Sequence, residues 1–136
     1  MGSISKDDNI EVFGLLNRDI KEQREKLEYL RKISDIFVLP THAECAGIVF
    51  CEACAYSMPS ITYDTGGIPD YVINDYNGYR LPLESKGRDF ADAIIKIQKD
   101  GKMQMLQDNA GKMYNDDLNW KHFAQSLKEI IDNLSE

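Results

Sequence analysis

Two carboxylates eight positions apart, Glu44 and Glu52, are the residues of this chain best placed to do chemistry. Glu44 stands in a short polar turn after the apolar run IFVLP, and Glu52 is the single charge within the apolar run GIVFCEACAYS. A helix that is apolar nearly all round is buried, so a lone carboxylate on it must reach a polar partner, a cleft or a ligand to escape a large desolvation cost. If the helix opens near Ala46, the N–H groups of Ala46, Gly47, Ile48 and Val49 lack acceptors within it and carry a partial positive charge. Such a terminus suits an anion, phosphate above all, and Gly47 lets the backbone approach it closely. A carboxylate only accepts hydrogen bonds, which suits it to hydroxyls and not to phosphate oxygens. Glu44 in the turn and Glu52 about 9 Å along the axis are therefore spaced for the two sugars that flank a diphosphate.

These groups matter only if the fold brings them to one place. IEVFGLL reads as a buried strand ending at Gly14. DIKEQREKLEYLRKI follows as an amphipathic helix with Ile20, Leu27, Leu30 and Ile33 on one stripe and Asp19 as its cap. DIFVLP is a second strand closed by Pro40, and PSITYD a third beginning at Pro59. The turn Thr65, Gly66, Gly67 comes next, then a short helix in IPDYVIN and a turn with a short extended piece in DYNGYRLPL. From Arg88 the chain turns helical, with apolar stripes at Phe90, Ala93, Ile94, Ile97, then at Met103, Leu106, Ala110, Met113. A last stripe, Trp120, Phe123, Leu127, Ile130, Ile131 and Leu134, also reads as core. Alternating apolar strands and helices imply an α/β fold whose parallel sheet is covered on both faces. Ligands of such sheets bind beyond the carboxyl ends of the strands, where the Glu44 turn and the Thr65–Gly67 turn both fall.

A chain of 136 residues is one domain's worth and buries roughly two thirds of its unfolded surface. The polar residues 1–9, whose MGS opening reads as a cloning scar, form a tail, and 10–136 the domain. A net charge of −7 argues against a general nucleic-acid or anionic-membrane surface. No apolar run approaches the roughly 20 residues that span a bilayer. Three cysteines, an odd number without a secretory signal, fit reduced thiols in a cytoplasm.

One rival chemistry uses the same stretch. His42-Ala43-Glu44 with Cys51-Glu52-Ala53-Cys54 imitates the two halves of a zinc-dependent nucleobase deaminase. Those halves come from separate helices, and here only six residues lie between Glu44 and Cys51, with Phe50 where a proline should precede the first cysteine. Cys51 and Cys54 read instead as small packing residues. His122 lies in the last amphipathic stretch, with no nucleophile or acid arranged around it.

Glu44 and Glu52 also sit in a longer frame, P-x-x-x-E-x-x-G-x-x-x-x-E-A from Pro40 to Ala53, followed by MPSITYDTGGIPDYV, NGYRLPL and LNW. From about Ile10 to the end this ordered set resembles the C-terminal, donor-binding domain of retaining GT-B glycosyltransferases, most closely glycosyltransferase family 4, the glycosyl transferases group 1. The resemblance implies a Rossmann-like three-layer sandwich, here an incomplete GT-B C-terminal domain. It implies that Glu44 contacts hydroxyls of the transferred sugar and that Glu52 binds the nucleotide's ribose. The amides around Ala46, Gly47, Ile48 and Val49 would hold the diphosphate, and Thr65, Gly66 and Gly67 would line the same pocket. No metal and no cofactor are implied.

The partners implied are a nucleotide-diphosphate sugar and an acceptor glycan or lipid, the latter held by an N-terminal domain missing here; no nucleic acid is expected. The parent enzyme would be a hexosyltransferase of the cytoplasm, peripheral to the membrane. The family's first strand and its diphosphate-gripping basic pair have no counterpart before Ile10, so the isolated chain should turn nothing over. The missing strand also leaves a sheet edge through which two copies could pair. Two other readings stay open: a nucleotide-binding module without catalysis, and an interaction domain in which both acids are merely paired.

Overall fold

The computed structural model describes residues 9–45 and 47–134. The chain forms two compact units, one ending at Ile33 and one beginning at Ser34.

In the first unit, helix α1 spans Lys21–Ile33, with Leu27 and Leu30 half-buried on its apolar stripe. Asp19 does not cap it. The Asn17 carboxamide accepts the Asp19 N–H at 2.9 Å, Gln23 Oε1 accepts the Asn17 N–H at 2.7 Å, and the Ile20 carbonyl takes the Arg24 N–H at 2.9 Å. The stretch IEVFGLL is not a strand either: residues 10–17 have no regular structure, and Ile10, Val12 and Leu15 are exposed. A strand's backbone groups are satisfied only by a neighbouring strand, and among the described residues none pairs with this stretch. Phe13 is instead covered by the Lys26 ammonium, 4.5 Å from its ring centre.

The second unit is built on a parallel sheet of β1 (Phe37–Leu39), β2 (Ser60–Tyr63) and β3 (Gly78–Leu81), in that order. Phe37 is level with Ser60 and Gly78, and Leu39 with Thr62 and Arg80. Because side chains alternate across a strand, Ile61, Tyr63, Tyr79 and Leu81 share one face and Phe37, Leu39 and Thr62 the other. The first face is covered by α3 (Gly87–Lys99) and α4 (Met103–Met113), through Phe90, Ile97 and Leu106. The second is covered by α2 (Ile48–Ala55) and the short 3₁₀ turn Ile68–Asp70, through Phe50, Ile68 and Val72. The outer edge of β3 is closed by Asn74, which bridges to Gly78 and whose Oδ1 accepts the Arg80 N–H at 2.7 Å. Among the described residues, β1 has a partner strand on one side only.

After α4 a π-helical turn, Tyr114–Leu118, leads into α5 (Trp120–Leu134). Asn119 makes the joint: its Nδ2 donates to the Tyr114 carbonyl and its Oδ1 accepts the His122 N–H, capping α5. The apolar stripe of α5 is not core in this structure. Trp120 is 79% exposed and Leu134 81%, with Phe123, Leu127, Ile130 and Ile131 exposed between them. Spacing identifies an amphipathic helix, but burial also needs an opposing surface. No helix among the described residues is long and apolar enough to cross a membrane.

Candidate functional site

The Glu44 turn leaves the carboxyl end of β1 and is shaped by its own hydroxyls and by the chain beyond β2. Thr41 Oγ1 donates to the Ala43 carbonyl at 3.0 Å, and Thr62 Oγ1 donates to the Leu39 carbonyl at 2.8 Å. His42 is exposed, with its ring stacked on buried Tyr63, centroids 4.6 Å apart and planes 29° apart. Tyr63 in turn donates its hydroxyl to the Ser85 carbonyl at 2.7 Å. His42 is thus held as a lid on the β2 end.

The Thr65–Gly67 turn lies directly against this loop. Thr65 Oγ1 donates to the His42 carbonyl at 3.3 Å. A Cβ added at Gly66 would stand 2.2 Å from the Glu44 carbonyl oxygen, and one at Gly67 2.8 Å from that of Cys45. The two turns that the sequence places at one sheet edge are therefore in contact, and what fills the space at both glycines is the main chain of the acid-bearing loop. Glu44 itself is half-buried, and its carboxylate has no hydrogen-bond or ion-pair partner among the described residues. Asp64, just before the glycines, is exposed and pairs at 3.7 Å with Arg80 of β3.

Ala46, expected at the helix mouth, lies outside the described residues. Helix α2 opens at Ile48, two residues later than expected, with buried Gly47 as its N-cap in the left-handed region at φ 55°. The Gly47 carbonyl already accepts the Phe50 N–H at 2.8 Å. That leaves the N–H groups of Ile48 and Val49 without acceptors among the described residues, next to an exposed Ile48 side chain. No side chain caps this terminus. Its partial positive charge is therefore uncompensated by the helix's own residues.

The rest of α2 is packing. Phe50, Ala53 and Cys54 are buried, and the helix stops in a hydrogen-bonded C-terminal motif with Ser57 left-handed at φ 55°. Met58 N–H reaches the Ala53 carbonyl there, and Ser57 N–H the Cys54 carbonyl. Burial pushes the Cys54 thiol up to about 11 and holds the Cys51 thiol above its usual range, so both stay protonated at neutral pH, in keeping with packing roles. Glu52, half-buried in the helix's second turn, has a partner within the chain.

Two residues that spacing did not single out also shape the site. Tyr71 presses its ring on Gly47: a Cβ there would lie 2.6 Å from Tyr71 Cδ2. Buried Asn77 locks the backbone behind it, donating from Nδ2 to the Tyr71 carbonyl at 2.7 Å and accepting the Ile73 N–H at 2.7 Å. The only sequence signals were an aromatic residue close behind a glycine turn and an Asn-Gly pair, which also marks ordinary turns.

The family described as glycosyl transferases group 1 matches residues 9–114. An uncharacterised glycosyltransferase of Methanocaldococcus jannaschii is 27% identical over 128 residues, covering 94% of this chain and 35% of that protein. A D-inositol 3-phosphate glycosyltransferase of Mycobacteroides abscessus is 33% identical over 76 residues, covering 56% of this chain and 17% of that one. Among solved structures, sucrose-phosphate synthase from Thermosynechococcus elongatus superposes with a TM-score of 0.69 at 26% identity, over 81% of this chain and 28% of its own. The chain thus spans about a third or less of the length of these relatives. Its parallel sheet with flanking helices is the Rossmann-like arrangement of GT-B proteins, and the chain belongs to the glycosyl transferases group 1 family.

Proposed function

We propose that this chain is the donor-binding part of a retaining hexosyltransferase, which takes its sugar from a nucleotide-diphosphate sugar. The observation that carries the reading is the joining of Glu44, whose carboxylate has no partner among the described residues, to the N-terminus of α2, which no side chain caps, through a turn clamped by Gly66 and Gly67. The diphosphate lies at the N–H groups of Ile48 and Val49, where the helix terminus stabilises the charge that grows on the departing group. Glu44 holds hydroxyls of the transferred sugar, and Glu52 accepts from the ribose, exchanging its present partner for that bond. Thr65, Gly66 and Gly67 border the pocket and set its floor. Amide donors and carboxylate acceptors divide the donor between them by chemistry: phosphate oxygens to the first, hydroxyls to the second.

The acceptor, a glycan or lipid, is held by a preceding N-terminal domain of the parent enzyme, so the isolated chain binds donor without transferring sugar. Its three free thiols fit a cytoplasmic setting. Calorimetric titration with a panel of nucleoside diphosphates and nucleotide sugars tests this. Saturable binding by the wild-type chain, weakened by Glu52→Ala, is the expected result. Titrations in which no member of the panel binds either protein would instead favour an interaction domain.

A further inference from the structure

We infer that Tyr71 is a positioning residue of the proposed donor site: its ring, seated on Gly47, fixes the left-handed turn that aims the N–H groups of Ile48 and Val49. The inference rests on the donor reading for its functional meaning, but its geometric part stands alone. Gly47 is buried with φ +55°, and Tyr71 Cδ2 and Cε2 would lie 2.6 and 2.9 Å from a Cβ at that position. The ring therefore occupies the space a side chain would need. A left-handed residue is adopted readily by glycine, but nothing in glycine itself prevents it from leaving that conformation. A packed wall does.

Tyr71 is in turn immobilised from behind. Its N–H donates to the Ile68 carbonyl at 2.9 Å, and its carbonyl accepts from Asn77, which is 1% exposed. Its ring packs with Phe50, Ile68 and Val72, three side chains with no solvent exposure. Phe50 closes the circuit, because its N–H donates to the Gly47 carbonyl at 2.8 Å. Asn77, Tyr71, Gly47 and the helix mouth thus form one continuous set of contacts. While the Gly66 and Gly67 clamp orients the acid, the Tyr71 wall orients the amides. A phosphate-binding terminus needs its donors fixed in advance, since ordering them on binding would subtract from the affinity.

The test uses the full chain with Tyr71→Phe and Tyr71→Ala. Hydrogen exchange at the Phe50 amide reports the turn without any ligand. Titration with a nucleoside and with its diphosphate separates the phosphate increment from the base and ribose. Tyr71→Phe should match wild type in both. Tyr71→Ala should speed Phe50 exchange about tenfold or more while the amides of β2 and α3 keep their protection. It should also lower diphosphate affinity about tenfold with nucleoside affinity unchanged. If Tyr71→Ala strips protection from the sheet as well, Tyr71→Leu, which refills the cluster without a flat ring, carries the same expectation.

Unchanged Phe50 exchange, or equal losses for nucleoside and diphosphate, would overturn the inference and leave the donor reading standing. Faster Phe50 exchange in a protein whose wild type binds no diphosphate would confirm that Tyr71 holds the turn and would sink the donor reading instead.

Discussion

Gly66 lies so close to the main chain of Glu44 that a Cβ there would stand 2.2 Å from the Glu44 carbonyl oxygen. The turn after β2 and the turn after β1 are consequently one body at their point of contact, and the glycine is required by the protein's own packing as well as by its φ of +54°.

Replacing Gly66 by alanine combines backbone strain with a main-chain collision that no rotamer can relieve. Gly66→Ala should cost about 2–5 kcal/mol of unfolding free energy, the sum of a left-handed penalty and an overpacking term. Gly101→Ala is the matched control, since Gly101 has φ +64° with nothing within 4 Å of its Cβ position, and should cost only about 1–2 kcal/mol. Urea unfolding of both, with unchanged m-values, measures the difference. Equal losses would mean that the Glu44 loop yields freely and is not clamped.

The sheet strands and most of the helices were legible because their burial is local to the chain: SITY is buried at every position, and Phe90, Ile97, Leu106 and Ala110 fall on the expected stripes. The turn glycines were legible as punctuation but not as to cause, since a close main chain and a close ligand leave the same mark in sequence. IEVFGLL and the α5 stripe misled for one reason. Each carries the right periodicity, yet a strand needs a neighbour and an apolar face needs a cover, and the described residues supply neither. Tyr71 was invisible because its role depends on a contact across 24 positions of sequence, to Gly47, which no local pattern records; Asn77 was invisible because its bonds, to the backbone 6 and 4 positions back, leave the same Asn-Gly mark as an ordinary turn.

Asn77 should prove to be the costliest polar residue of the unit to replace. It is buried, and besides its two backbone bonds its Nδ2 lies 3.2 Å from Met113 Sδ and 3.5 Å from Cys54 Sγ. Asn77→Leu strands the Ile73 N–H and the Tyr71 carbonyl, for about 2–5 kcal/mol together. Asn77→Asp keeps an acceptor for Ile73 but sets a carboxylate oxygen against the Tyr71 carbonyl, and should be no milder. A shift in thermal midpoint within a degree or two of wild type for either variant would contradict the role assigned to it.

A second polar cluster ties the turn before β3 to the start of α4. Lys102 Nζ lies 2.7 Å from Asp75 Oδ1, and the Tyr79 hydroxyl donates to the same oxygen at 2.6 Å. The Lys102 ammonium, and then the Tyr79 hydroxyl, hold the Asp75 carboxyl below its usual range. The bond to Asp75 raises Lys102, and burial followed by the Asp75 bond raises Tyr79. A depressed carboxyl contributes stability above its ordinary pKa and loses it as pH falls through the folded value; raised Lys and Tyr groups contribute below their ordinary values and lose it as pH climbs through the folded ones. Wild type should therefore exceed Lys102→Met in unfolding free energy across the neutral range, with the gap shrinking toward both extremes. A gap that is flat from acid to alkali would show that the lysine acts through its hydrocarbon stem alone.

The three thiols should react in an order set by depth. Cys45 is exposed beside Glu44, Cys51 is half-buried, and Cys54 is buried with its thiol pushed up to about 11. Only a thiolate attacks an alkylating reagent, so burial slows Cys54 twice, by access and by withholding the anion. Iodoacetamide at mildly alkaline pH should label Cys45 first, Cys51 more slowly and Cys54 only on unfolding, as read by peptide mass mapping over time. Because the Cys45 carbonyl faces Gly67, the backbone there is anchored while the side chain is accessible, and an added group should crowd the space next to Glu44 without unfolding the loop. Alkylated wild type should then lose nucleotide-diphosphate binding while keeping its thermal midpoint, and Cys45→Ser should bind equally well before and after treatment. Full binding by the alkylated protein would place the ligand away from the Glu44 turn.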